Sequence, residues 1–91
     1  MNARLLRIAG RVQGVGYRDW LITEARRHGL WGWVRNRRDG SVEALIAGEE
    51  DALQAVLTAC RRGPSLALVE SIEEQFAEPP EEPGFSRRPT S

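Results

Sequence analysis

A chain of 91 residues with 41% hydrophobic and 29% charged side chains has the composition of a globular domain with one modest core in two layers, and lies away from the compositions of disordered chains and coiled coils. No apolar run approaches the roughly 18 to 20 residues a membrane helix needs. The start M-N-A-R-L-L-R-I also lacks the apolar block of a signal peptide, so the expectation is one soluble, cytoplasmic domain over residues 1–91.

Residues 4–10 (R-L-L-R-I-A-G) predict a first strand, short, apolar and closed by glycine. A glycine-rich turn follows, and then Tyr17, Leu21, Ala25 and His28 recur at helical spacing, with Gly29 as the stop. Residues 32–38 and 41–48 alternate with period two around Asp39-Gly40, the signal for an antiparallel hairpin. Glu49, Glu50 and Asp51 suit the first turn of a second helix, Leu53, Val56, Leu57 and Cys60 form its apolar stripe, Arg61 and Arg62 suit its last turn, and Gly63-Pro64 ends it.

Residues 67–76 predict a fourth strand, in which the opposite parity of Val69 and Ile72 calls for a bulge or a change of face. The segment A-E-P-P-E-E-P-G is a loop, and residues 84–89 form at most a short edge strand before a frayed end. The order β-α-β-β-α-β gives an α+β fold of ferredoxin-like, split βαβ type: an antiparallel sheet with both helices on one face, the other left wet.

Zero net charge conceals a division. Residues 1–48 hold nine arginines against four acids, and residues 49–91 hold four against nine. An anion therefore belongs with the first half. One cysteine excludes an internal disulfide, and one histidine leaves no sensible zinc constellation, so neither metal nor cofactor is expected. Cys60, on the apolar stripe, reads as an inert buried thiol, and His28 as a group capping helix carbonyls.

The stretch Ile8 to Arg18, I-A-G-R-V-Q-G-V-G-Y-R, carries the chemistry. Glycine accepts positive φ without penalty, so successive backbone N–H groups can turn into one concavity, and the helix N-terminus behind them adds free donors. Arg18 sits in the first helical turn, the unfavourable end of the dipole for a cation unless an anion is bound there. Gly10, Gly14 and Gly16 follow G-x-x-x-G-x-G, which is neither the dinucleotide fingerprint nor a Walker motif. A small tetrahedral oxyanion fits better; a tight turn with a solvated arginine is the competing reading.

Asn36 shares strand parity with Val34, which puts an amide on the packed side. It either bonds its own hairpin or holds a water. Trp20, Trp31 and Trp33 read as packing or surface aromatics. Single-stranded nucleic acid on the open sheet face would need aromatics on two adjacent central strands; with the first and fourth strands taken as central, residues 4–10 offer none.

The runs Ile8–Arg18 and Gly32–Gly48, G-W-V-R-N-R-R-D-G-S-V-E-A-L-I-A-G, resemble the two signatures of the acylphosphatases. The similarity extends over residues 4–76 and weakly into the tail. It implies hydrolysis of a carboxyl-phosphate anhydride to a carboxylate and inorganic phosphate, on a ferredoxin-like fold and without a metal. By resemblance Arg18 and Asn36 are the catalytic pair, Arg18 holding the phosphoryl group and Asn36 orienting water, while the amides of Gln13, Gly14, Val15, Gly16, Tyr17 and Arg18 bind phosphate. The implied partner is a small acyl phosphate, with no nucleic acid or membrane, and the protein is expected to be a monomer. Tyr17 departs from the usual Phe, placing a hydroxyl beside the loop, and Arg87 stands where the last strand typically carries an apolar residue, which puts that strand's pairing in doubt. An anion-binding module of the same fold without turnover is the alternative.

Overall fold

In the computed structural model, which describes residues 1–91, the elements run β1 (Asn2–Arg11), α1 (Tyr17–Arg27), β2 (Trp31–Asn36), β3 (Val42–Gly48), α2 (Glu50–Cys60), β4 (Leu68–Phe76) and β5 (Phe85–Arg87). The strands lie in the order β4-β1-β3-β2-β5. Pairings of β1 with β3 and β4, and of β2 with β3, are antiparallel. The short β5 joins β2 in parallel, so the sheet is mixed where a purely antiparallel one was expected. The α+β architecture stands.

Leu6 and Ile8 of β1, Val34 of β2, Val42, Ala44 and Ile46 of β3, and the stripes of both helices form one core. Tyr17, Leu21, Ala25, Leu53, Val56, Leu57 and Cys60 are the helical side of it. Each large aliphatic side chain fully enclosed there contributes about 1.5–3 kcal/mol.

Four expectations are corrected. The central strands are β1 and β3, and β4 lies at the edge because its only partner is β1. The hairpin is pinned by Asn36 opposite Val42 and by the Arg37 N–H donating to the Ser41 carbonyl, so its loop is Arg38-Asp39-Gly40, three residues with glycine in the left-handed position. Helix α2 ends at Cys60, leaving Arg61 and Arg62 outside its last turn. The tail is paired beyond β5: the Arg88 N–H donates to the Val34 carbonyl, the Ser91 N–H to the Asn36 carbonyl, and the Arg38 N–H to the Ser91 carbonyl.

The bulge falls where the parity of Val69 and Ile72 requires it. Ala9 faces Ser71 and Gly10 faces Val69, so Glu70 is the extra residue of β4, and both apolar side chains pack on the core. The open face is only partly wet. Ala3, Leu45 and Ala47 are buried there with Leu5, Trp31, Trp33 and Ala77 against them, and the proline-rich connection folds alongside, its Glu78, Pro79 and Pro80 lining a cleft with Trp33 and Leu45. Trp33 is covered by the guanidinium groups of Arg35 and Arg88, 5.0 and 4.5 Å from its ring centre.

Candidate active site

Where β1 ends, the chain must leave the sheet and enter α1 within five residues, 12–16. Gly14 and Gly16 make this possible with φ of 72° and 79°, backbone angles that cost other residues about 1–2 kcal/mol. Gly16 is the N-cap of α1 and provides no side-chain cap. The first helical bond runs from the Trp20 N–H to the Gly16 carbonyl. Consequently the consecutive amides of residues 13–18 donate to no backbone carbonyl, and the loop presents a row of free donors at the positive end of a helix.

The turn is anchored from below. Gln13 Nε2 donates to the carbonyls of Arg37 and Ser41, at 2.8 and 2.9 Å, fastening the loop to the mouth of the β2–β3 hairpin. Asp39 closes that hairpin by accepting from the Ser41 amide and hydroxyl, while Arg7 grips its other oxygen at 2.8 Å. The Arg7 guanidinium, with the Ser41 donors, holds the Asp39 carboxyl well below the usual carboxylate range.

The loop, the end of β2 and the end of β5 enclose a small cleft of about 120 Å³ lined by Val12, Gln13, Gly14, Gly16, Tyr17, Arg18, Asp19, Asn36 and Arg87. Arg18 and Asn36, singled out from separate stretches of sequence, therefore meet in one place. Val15 is the loop residue outside the lining, half-buried and packed on the core. Arg18 is half-buried and makes no ion pair with a carboxylate of the protein. The Oδ1 of Asn36 is buried and has no hydrogen-bond partner, which rules out the reading in which its amide oxygen caps its own hairpin. A buried acceptor without a donor is uncommon and marks a place where something else must donate.

Two cleft residues escaped the sequence reading, Asp19 and Arg87, which form an ion pair with each other. The signal was present in the alternation of β5. Phe85 is buried against the helices and Ser86 is exposed, so Arg87 returns to the helix side at the strand's end. The strand pairs normally, Val34 beside Arg87, because at this edge the guanidinium meets the Asp19 carboxylate. The Tyr17 hydroxyl also differs from expectation: it points away from the loop and donates 2.7 Å to the Cys60 carbonyl. The ring is fully buried, so its hydroxyl takes the acceptor left open at the end of α2. His28 behaves as expected, its Nδ1 2.9 Å from the Glu24 carbonyl.

The family model of the acylphosphatases matches residues 5–87. The chain belongs to the acylphosphatase family. It is 61% identical over 90 residues to the acylphosphatase of Acidiphilium cryptum, covering 99% of each chain, and 50% identical over 90 residues to that of Rhodospirillum rubrum, again 99% of each. The crystal structure of acylphosphatase from Bacillus subtilis matches with a TM-score of 0.91 at 38% identity, covering 97% of this chain and 99% of that one. Membership makes the protein a hydrolase acting on acid anhydrides, with acyl phosphates as its substrate class. No helix is long and apolar enough to cross a membrane.

Proposed function

We propose that acyl phosphates are hydrolysed in the cleft between the 13–18 loop and Asn36, with Arg18 and the loop amides binding the phosphoryl group and Asn36 positioning the attacking water. The observation that carries this reading is the unpartnered, buried Oδ1 of Asn36 in the same cleft as Arg18 and a row of free amides. An acceptor so placed takes a hydrogen bond from water and aims its oxygen at a phosphorus held by the loop.

The chemistry asks little more of the protein. Water attacks phosphorus, the bond from phosphorus to the carboxyl oxygen breaks, and its electron pair leaves with the carboxylate. Both water protons end on the phosphate, so the dianionic substrate yields a carboxylate and dihydrogen phosphate. The leaving group is a weak base and needs no general acid. Catalysis then consists of orientation and of donors fixed around the equatorial oxygens. A guanidinium grips two such oxygens at once, and fixed amides need no reorganisation as charge shifts.

Hydrolysis without a metal is part of the proposal. Its support is the lining, where Asp19 is the single carboxylate and is already engaged by Arg87, and the lack of any cluster of three His, Cys, Asp or Glu side chains. We further propose that residues 1–91 act as one domain, as a monomer, in the cytoplasm. The test is benzoyl phosphate hydrolysis followed by ultraviolet absorbance with EDTA present, comparing the wild type with Arg18→Ala after circular dichroism shows both folded. The expected result is turnover by the wild type and its loss in the variant. Folded wild type without turnover would leave an anion-binding module.

A further inference from the structure

We propose that Arg87 is a substrate-binding residue, a second guanidinium that donates to the phosphoryl group in the cleft it shares with Arg18. The inference rests on the acyl-phosphate reading of the cleft and adds to it a residue from a different part of the chain.

The charge balance of the cleft is the first argument. Besides the loop amides, its charged lining consists of Arg18, Asp19 and Arg87. Without Arg87, the Asp19 carboxylate would cancel Arg18 at the place where a phosphoryl group carrying close to two negative charges must sit. With it the cleft is net positive. Geometry is the second argument. Arg87 lines the same half-open cleft of about 120 Å³ as Gly14, Gly16 and Asn36, so its guanidinium borders the space in which a phosphoryl group on the loop amides would sit.

The third argument is the way the side chain is held. The Arg87 backbone is fixed on β5 opposite Val34, and the following N–H, that of Arg88, is bonded to the Val34 carbonyl. One terminal nitrogen, Nη2, meets Asp19 Oδ1. A guanidinium has five N–H donors in a rigid plane, so the Asp19 contact fixes the plane while Nε and Nη1 stay available. Asp19 itself is anchored in the first turn of α1, one residue beyond Arg18. The pair thus holds a second guanidinium fork at the cleft wall, with less rotamer freedom left to lose on binding.

The experiment uses the full chain and two readouts. Binding of inorganic phosphate is measured by isothermal titration calorimetry, which needs no turnover, and benzoyl phosphate hydrolysis gives kcat and KM. Arg87→Met keeps the apolar stem; we expect phosphate affinity to fall by about 10- to 100-fold, the usual effect of losing a hydrogen bond to a charged group, with a matching rise in KM. Arg87→Lys recovers part of the loss. The decisive arm is a double variant that combines Arg87→Met with Asp19→Asn. If Arg87 touches the anion, Arg87→Met weakens phosphate binding by a similar factor when Asp19→Asn is already present. A loss that vanishes in that background would overturn the proposal and reduce Arg87 to a screen for Asp19, as would a loss accounted for by a lowered melting temperature that Arg87→Lys does not recover. Unchanged phosphate affinity in a folded Arg87→Met protein would overturn it as well. Wild type that binds phosphate yet turns nothing over would sink the hydrolytic reading while leaving the role of Arg87 in anion binding open to the same comparison.

Discussion

The hydroxyl of Tyr17 donates 2.7 Å to the backbone carbonyl of Cys60, tying the first turn of α1, which carries the loop amides, to the last turn of α2. Burial first, and then the neighbouring Cys60 thiol, pushes the phenol's pKa far above its ordinary value. Tyr17→Phe keeps the ring in the core and removes only the tie. A net loss of about 1 kcal/mol follows for a buried neutral hydrogen bond, equivalent to a fall of about 4–8 °C in Tm for a domain of this size. Thermal melts followed by circular dichroism check it. Since the hydroxyl points away from the cleft, kcat for benzoyl phosphate should change less than twofold.

Cys60 should behave as an inert thiol whose burial makes the fold sensitive to alkali. Burial pushes it up to about 12, against about 8.5 for a free cysteine in the unfolded chain. The folded state therefore keeps a proton that the unfolded state gives up in that interval. The contribution to stability is complete below about pH 8.5 and is lost progressively as pH rises toward 12. Denaturant titrations at pH 7, 9 and 10 should give a declining unfolding free energy, and Cys60→Ala should flatten that decline while lowering stability at pH 7 through the vacated volume. At pH 8 the native thiol should react with Ellman's reagent only at the rate of unfolding.

How far such features were legible in the sequence depends on the range of the interaction. Gly14, Gly16 and Arg18 act through local backbone chemistry, so the loop could be read as an anion site before any fold was known. Asn36 could be read because an amide among apolar strand positions is a local anomaly. The hairpin was found in the right place, but Asp39-Gly40 alone does not set the register; the pairing of Asn36 with Val42 does, and the loop gains a residue. The alternation of Phe85, Ser86 and Arg87 puts Arg87 on the helix side, but its arrival at the cleft depends on β5 lying parallel beside β2, a tertiary fact with no local signature. The position of β4 was equally hidden, since its mostly exposed side chains give no alternation that separates an edge from a centre. The Tyr17 hydroxyl was misjudged for the same reason, its acceptor lying 43 residues away.

Gln13 is expected to matter through its side chain as well as its amide. Its Nε2 bridges the carbonyls of Arg37 and Ser41, holding the donor loop in register with the strand that carries Asn36. Gln13→Ala should cost about 1 kcal/mol of stability and lower kcat/KM about tenfold or more, because a small displacement between a bound phosphoryl group and its water is amplified in rate. Gln13→Glu should be worse than alanine: an ionised carboxylate has no donor and would face two carbonyl oxygens. Steady-state kinetics with melting curves on the pair of variants test the order.

Asn36 gives the sharpest separation of function from stability. Its buried Oδ1 has no partner in the protein, so deleting the amide removes an unsatisfied group and should leave Tm unchanged or slightly raised. On the proposed roles the attacking water loses its orienting group, and kcat for Asn36→Ala should fall about 10²-fold with a smaller change in KM, since Arg18 and the loop would still hold the phosphoryl group. Asn36→Asp keeps the shape and adds a carboxylate beside the substrate's own charge. Near neutral pH that variant should bind acyl phosphate poorly; as pH falls and the new carboxyl is protonated, KM should drop toward the wild-type value. An alanine variant with wild-type kcat, or an aspartate variant with a flat pH profile of KM, would remove Asn36 from the mechanism and return the water's positioning to the loop alone.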